Sequence, residues 1–249
     1  MKLLSKLITA AALLTVSSYT FAQTGTSPID TAIAQVDNFA AIKIQGSFEV
    51  HVTQGDRQSV KLEAPTEILM HVEAETKDGL LTVRNKPDAA SWMKTTFRNN
   101  PDNWWNHHHV VVRIIVTSLH SISMSGSGHI YCADGINAPD LKVRVSGSGK
   151  IEGKITTQQL ESNISGSGHI DLSGTAETSE VSITGSGHFS SSNLVTSNSK
   201  VHISGSGRAE VNASEKLDAS VHGSSRVVYT GHPKSISVSK SGSGSVSGS

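Results

Sequence analysis

The chain has 249 residues, with 21 basic and 21 acidic side chains, 12 histidines and a single cysteine. That balance excludes a strongly electropositive nucleic-acid binder, and one cysteine excludes an intrachain disulfide framework. Only 4% of the residues are aromatic, so any core must be built from aliphatic side chains.

Residues 1–22 read as a secretory signal. Lys2 and Lys6 charge its start, Leu7 to Val16 is apolar apart from Thr9 and Thr15, and Thr20-Phe21-Ala22 fits a small-x-Ala cleavage site before Gln23. The stretch falls short of the roughly 20 apolar residues of a membrane anchor. No cysteine lies near the cut, which argues against a lipid anchor. Removing Lys2 and Lys6 leaves 19 basic against 21 acidic residues, a formal charge of −2. No later stretch is apolar enough to span a bilayer as a helix. Residues 23–36 read as a flexible leader, and 37–249 as one domain.

From Phe39 to Asn85 short runs alternate between apolar and polar residues, the signature of strands. Examples are Ile42-Lys43-Ile44, Phe48 to Val52, Val60-Lys61-Leu62 and Leu80 to Val83, with turns at Thr53 to Asp56 and Lys77-Asp78-Gly79. They are expected to form opening coils continuous with the later ones, with hairpin excursions.

Over residues 86–109 the pattern stops. This insertion holds all three tryptophans, Trp92, Trp104 and Trp105, and the run His107-His108-His109. Long segments without regular structure are often functional. In an extended segment His107 and His109 point the same way, and with Asp102 they could hold Zn, Cu or Ni. The tryptophans could instead make a platform for sugar rings, or fold back as cover for a strand edge or face. Val110 to Val116 is one more strand.

Beyond it a Ser-Gly-Ser-Gly tetrad or a close variant recurs seven times. Its glycines are Gly126/Gly128, Gly147/Gly149, Gly166/Gly168, Gly185/Gly187, Gly205/Gly207, a degenerate Gly223-Ser224-Ser225, and Gly242/Gly244. First glycines are spaced 21, 19, 19, 20, 18 and 19 residues apart, so one supersecondary unit is stacked on copies of itself. An alternating apolar pair precedes most tetrads (Ile122/Met124, Val143/Val145, Val181/Ile183, Val201/Ile203). An apolar residue follows one position after each: Ile130, Ile151, Ile170, Phe189, Ala209, Val227. Short strands in a coil of 19–20 residues with about three faces give an all-β chain, a parallel β-solenoid. Both glycines of each pair are expected to serve the turn, since glycine supplies the φ > 0 of a sharp corner at no steric cost. Stacked corners place serine on serine at about 4.8 Å, where ladders of hydrogen bonds can run along the axis. Leucine-rich repeats would need Leu-x-x-Leu-x-Leu, and calcium-binding nonapeptide repeats an acidic ligand after the glycines; neither is present.

The residue just after each corner is often basic: His129, Lys150, His169, His188, Arg208, Arg226, then Ser245. Stacked in register, these form a column that could bind acidic polysaccharide, lipid headgroups or phosphate, more strongly below about pH 6.5 as histidines charge. Equally, they are solvated side chains at a tolerant turn. His169 and His188 could share a metal across coils, but two imidazoles without carboxylate or thiol make a poor site. Enzyme motifs are missing, and Cys132 reads as a buried thiol. A carbohydrate-active enzyme would need clustered carboxylates. Asp134, Glu152 and Asp171 approach this, but Ser190 and Glu210 continue it only thinly.

The serial tetrads, the N-terminal block Phe39-Ala-Ala-Ile-Lys-Ile and the signal peptide together resemble a known family. It comprises secreted bacterial proteins of the autotransporter adhesin, head GIN domain type, and the likeness runs from about Phe39 to the C-terminus. The resemblance implies a single-stranded right-handed β-helix, an envelope or extracellular location and an adhesive role. It supplies no catalytic residues. There is no C-terminal membrane barrel, and the Trp104/Trp105/His107–His109 insertion is not part of that pattern.

The expectation is an exported, non-catalytic module without a cofactor, periplasmic, surface-located or extracellular. It would recognise glycan or another envelope component, such as a surface protein, through the insertion and the basic column. The alternatives are a polysaccharide lyase or hydrolase on the same scaffold, and a structural spacer. Residues Ser241 to Ser249 carry one more turn and no obvious cap. The last coil is therefore expected to stack on a second copy or another envelope protein.

Overall fold

The computed structural model describes residues 29–89 and 110–249, together with the backbone of Thr15–Val16. The tryptophan and histidine residues of the insertion, Trp92, Trp104, Trp105 and His107–His109, lie outside the described residues.

Five long strands form the body: β10 (His129–Gly147), β11 (Lys150–Gly166), β12 (His169–Gly185), β13 (His188–Gly205) and β14 (Arg208–Gly223). Each is one complete coil, paired in parallel with the next. Buried positions divide the coil into three faces. In β10 these are Ile130/Cys132, Ile136/Ala138 and Leu141/Val143/Val145. The Gly-Ser-Gly corner joins the third face of one coil to the first face of the next.

Register turns the sequence grammar into rows. Ile130, Ile151, Ile170, Phe189, Ala209 and Val227 stack as one buried row. Burying each large aliphatic or aromatic side chain contributes about 1.5–3 kcal/mol.

The two glycines of a corner turn out to do different jobs. Positive φ belongs to the first alone: Gly126, Gly147, Gly166, Gly185, Gly205, Gly223 and Gly242. At Gly185, for example, φ is +112, and a Cβ there would also sit 2.6 Å from the Gly166 carbonyl oxygen. The second glycines, Gly128, Gly149, Gly168, Gly187, Gly207 and Gly244, do not have positive φ, so the expectation that they supply left-handed backbone is corrected. Space is what constrains them, because this position packs against the row Met124, Val145, Ile164, Ile183 and Val221 inside the coil. A Cβ would lie 2.6 Å from Met124 Cγ at Gly149, 2.4 Å from Ile164 Cγ2 at Gly187 and 2.8 Å from Ile183 Cγ2 at Gly207. At Gly244 it would lie 2.3 Å from Val221 Cγ1, and at Gly128 2.5 Å from the Phe48 carbonyl oxygen. The degenerate corner shows the distinction directly, since Gly223 keeps the positive φ while the second position is the buried Ser225.

The axial bonds at the corner are backbone ones, for example Ser186 N–H to the Gly166 oxygen at 2.9 Å and His188 N–H to the Gly168 oxygen at 3.0 Å. Among the described residues the stacked serine hydroxyls of the tetrads form no such ladder.

The N-terminal end departs from the expected simple continuation. Strand β3 (Ala41–Gln45) pairs in parallel with both β7 (Leu80–Asn85) and β9 (Ser121–Gly126). Likewise β4 (Glu49–Gln54) pairs with both β8 (Val111–Val116) and β10. The β3–β4 coil is therefore sandwiched, and stacking order is not chain order. Residues 86–109 connect β7 to β8, and β9 then adds to the opposite edge of β3. Antiparallel strands close this end: β6 (Val72–Lys77) on β7, and β5 (Ser59–Pro65) on β8. A single helical turn, α1 (Thr66–Leu69), joins β5 to β6 and buries Ile68 and Leu69. The segment read as a flexible leader contains β2 (Ile29–Ala34), antiparallel to β5, because Ala32 and Ala34 are buried. The backbone of β1 (Thr15–Val16) pairs with β2 in turn.

At the other end β15 (Arg226–Thr230) and β16 (Ser235–Ser241) make a coil on β14, and β17 (Ser245–Gly248) begins a further one on β15. Ile236 and Val238 continue core rows there, each 44% exposed. The next core position is Lys240 rather than an apolar residue. A charge in a core row opposes continued stacking, so this end carries a guard that the sequence did not announce.

Candidate functional site

The residues after the corners stand as one row, His129, Lys150, His169, His188, Arg208, Arg226 and Ser245, on the outer side of the first face. Two positions on, the same side carries a second row: Tyr131, Glu152, Asp171, Ser190, Glu210 and Val228. Period-two alternation forces the two rows side by side. Lys150 pairs with Glu152, which also lies 3.4 Å from His129 Nε2. Arg208 Nη2 lies 2.7 Å from Glu210, and His188 Nε2 lies 3.9 Å from it. The basic row is thus interleaved with carboxylates and is not a bare cationic strip. Anions must compete with carboxylates already in place.

Ring stacking adds to this. His129 lies 3.8 Å from Tyr131 between centroids, His51 5.0 Å from Tyr131, and His169 5.1 Å from His188. Burial holds His129 below the ordinary histidine value despite Glu152, and burial together with neighbouring His169 does the same for His188. Both therefore charge at a lower pH than an exposed histidine. Burial alone would raise the Glu152 carboxyl, but Lys150 and His129 outweigh it and hold it low.

The carboxylate reading changes as well. Asp134 lies outside the Glu152/Asp171/Glu210 row, because it stands six residues after Gly128 whereas Glu152 stands three after Gly149, and Tyr131 takes that place. Asp134 instead accepts a hydrogen bond from Thr53 Oγ1 at 3.0 Å. Among the described residues, no cluster of three or more His, Cys, Asp or Glu side chains is arranged to hold a metal ion.

A second site is formed where the second face turns into the third. There a groove of about 740 Å³ runs along the axis across all five long coils. One wall is the row Asp140, Gln159, Thr178, Asn198 and Lys216, and the other is Lys142, Glu161, Glu180, Lys200 and Asp218. Between the walls runs the backbone of the row Leu141, Leu160, Ser179 and Ser199, continuing to Leu217, whose side chains turn inward to the core. Lys142 and Arg144 hold Glu161 at 2.9 and 2.7 Å, and Lys200 holds Glu180 at 2.9 Å. Lys142 chiefly keeps the Glu161 carboxyl below its usual value. Lys216 and Asp140 have no ion pair among the described residues. Sequence reasoning missed this groove because its rows repeat no residue type. Only the register brings Asp140, Gln159, Thr178, Asn198 and Lys216 together.

Comparison with known proteins bears on the same architecture. Residues 38–233 match the model of a family described as "Putative auto-transporter adhesin, head GIN domain". Three solved structures share the fold. A "putative adhesin" from Bacteroides fragilis aligns with a TM-score of 0.79 at 23% identity, covering 90% of this chain and 98% of its own. A "putative adhesin" from Parabacteroides merdae aligns at 0.69 and 22%, and a "putative lipid binding protein" from Parabacteroides distasonis at 0.68 and 21%, with the same coverages. No curated protein matches the chain. The family match spans most of the sequence, and the chain belongs to the head GIN domain family.

Proposed function

We propose that, as a member of this adhesin family, the protein is an exported, non-catalytic module that binds glycan of the cell envelope or its surroundings. The observation that carries the reading is the axial groove, which offers polar side chains once per coil at a rise of about 4.8 Å. An extended polymer of sugar rings laid along the axis meets an equivalent position at each step. Gln159, Thr178 and Asn198 supply neutral donors and acceptors suited to hydroxyl groups. Four carboxylates and three ammonium groups line the walls, a near balance that favours an uncharged or weakly charged chain over a polyanion. No helix among the described residues is long and apolar enough to cross a membrane.

The test is binding of the purified protein to an array of linear oligosaccharides, with reducing-end release measured in parallel. Gln159→Ala/Asn198→Ala is expected to weaken binding at least about tenfold, the worth of two lost hydrogen bonds. Loss confined to Trp104→Ala/Trp105→Ala would move the site to the insertion, and loss confined to Arg208→Ala/Arg226→Ala would move it to the first face. Release of reducing ends would favour the enzyme instead. Neither binding nor release would leave a spacer.

A further inference from the structure

We propose that the axial groove does not end at Asp140 but runs on into a pocket at the N-terminal end, where Asp56, Arg57, Asp78 and His120 form a further subsite for a neutral sugar residue; this rests on the glycan reading above. The pocket has a volume of about 750 Å³, and these four side chains are part of its lining. Register places it on the line of the groove. Lys142 pairs with Ser121, Ser121 with Ala41 and Ala41 with Leu80, so three more coils continue the stack beyond β10. Lys142 lines the groove and His120 lines the pocket, and the Lys142 N–H donates to the His120 carbonyl oxygen at 2.9 Å. The two cavities therefore adjoin. Where the groove wall has Lys142 and Glu161, the continuing row has Ser121 and Ala41, which put no long side chain in the way.

The pocket is held in shape from three sides. Gln58 brackets Phe39, accepting from its N–H at 3.2 Å and donating to its carbonyl oxygen, which pins the turn that carries Asp56 and Arg57. Asp78 and Gly79, at φ +51 and +75, make the two-residue turn between β6 and β7. Positive φ at both positions is the tight hairpin geometry, so Asp78 is presented from a rigid corner. The Gly79 carbonyl oxygen accepts from the Ala40 N–H at 3.0 Å, and the Ala40 oxygen accepts from the His120 N–H at 2.8 Å. Yet the side chains of Asp56, Arg57, Asp78 and His120 are exposed, and none has an ion pair or side-chain hydrogen bond among the described residues. In the groove, by contrast, Lys142 and Lys200 hold Glu161 and Glu180. Carboxylates accept and a guanidinium donates, so this set can meet neighbouring hydroxyls of one sugar ring from both sides. Two carboxylates against one guanidinium leave no surplus positive charge to favour an acidic sugar. At one ring per coil, the groove alone takes about five rings and the continued site about eight.

The experiment titrates β-1,4-xylose oligomers of five and eight rings calorimetrically into the full mature chain. The wild type is expected to bind the octamer at least about tenfold more tightly than the pentamer, equivalent to about 1.4 kcal/mol. Arg57→Ala/Asp78→Gly removes both charges and suits the left-handed turn. It should lose that gain while leaving affinity for the pentamer within about twofold. Gln159→Ala/Asn198→Ala, in the groove itself, should weaken both oligomers. Equal binding of the two lengths by wild type, or an unchanged gain in Arg57→Ala/Asp78→Gly, overturns the subsite and leaves the glycan reading standing. Binding of neither oligomer overturns the subsite, and failure across the oligosaccharide array removes the glycan reading as well.

Discussion

Lys240 stands in parallel register with Val221, at the end of a row that otherwise runs Val83, Ile44, Met124, Val145, Ile164, Ile183, Ile203. Every earlier member is buried. A second copy stacked on this end would have to bury the ammonium group without a partner, at a cost of several kcal/mol. Lys240→Ile is therefore expected to self-associate with rising concentration in sedimentation velocity, at concentrations where the wild type stays monomeric. Identical behaviour of the two would show that the lysine does not guard the edge.

The first position of each corner tolerates no side chain, and the contrast between two glycines measures why. At Gly185 positive φ coincides with the Gly166 oxygen 2.6 Å from where a Cβ would stand, whereas Gly79, at φ +75, has nothing within 4 Å. Gly79→Ala should cost about 1–2 kcal/mol, the strain of a left-handed backbone alone. Gly185→Ala adds a clash with a backbone that cannot retreat, because the same coil is bonded above and below. It should exceed about 3 kcal/mol in urea unfolding, and equal losses at the two sites would refute the steric account.

Acidification should destabilise the fold through His129 and His188. Burial lowers both below the value of 6.5 that the unfolded chain keeps. Between the two values the unfolded state binds more protons, so their contribution is complete above pH 6.5 and is lost as pH falls through the folded values. Glu152, also lowered, adds loss in the same direction at more acid pH. The melting temperature should drop from about pH 7.5 to about pH 5.5, and drop less in His129→Gln/His188→Gln. A wild type with a flat profile over that window would contradict the assignment.

Cys132 is buried in the first face, and burial pushes its thiol up to about 12. Native protein should be inert to thiol reagents at neutral pH and react stoichiometrically once unfolded. Cys132 labelling then reports opening of that face, and rapid labelling under native conditions would show that the core there is loose.

Much of this architecture was legible because the corners and core rows repeat one residue class. Gly126 through Gly242 fix the period, and the aliphatic pairs before them fix which face turns inward. What resisted reading lacks that repetition, or hides two causes behind one residue type. Gly185 and Gly187 look alike as letters, yet one answers to backbone torsion and the other to the bulk of Ile164. The interleaving of Lys150 and Arg208 with Glu152 and Glu210 needs residues two apart to be seen as neighbours across coils. Asp134 falls off the carboxylate row because it stands six residues after its corner glycine where Glu152 and Asp171 stand three after theirs, an offset that the sequence itself carries. The sandwiched β3–β4 coil depends on the return from β7 to β8, which leaves no imprint on the periodicity. The groove escaped because its residues share a position and no chemistry.

The register has one more implication, concerning length as a heritable quantity. Excising residues 167–185 would join Gly166 to Ser186, the same Gly-Ser junction that the removed turn had, and every row would lose one member and stay aligned. The fold is in this respect a ruler graduated in coils. Duplication or loss of a single graduation resets the length of the axial groove, while each surviving mark keeps its own chemistry. Groove length and the chemistry of each coil can therefore drift independently in such a protein.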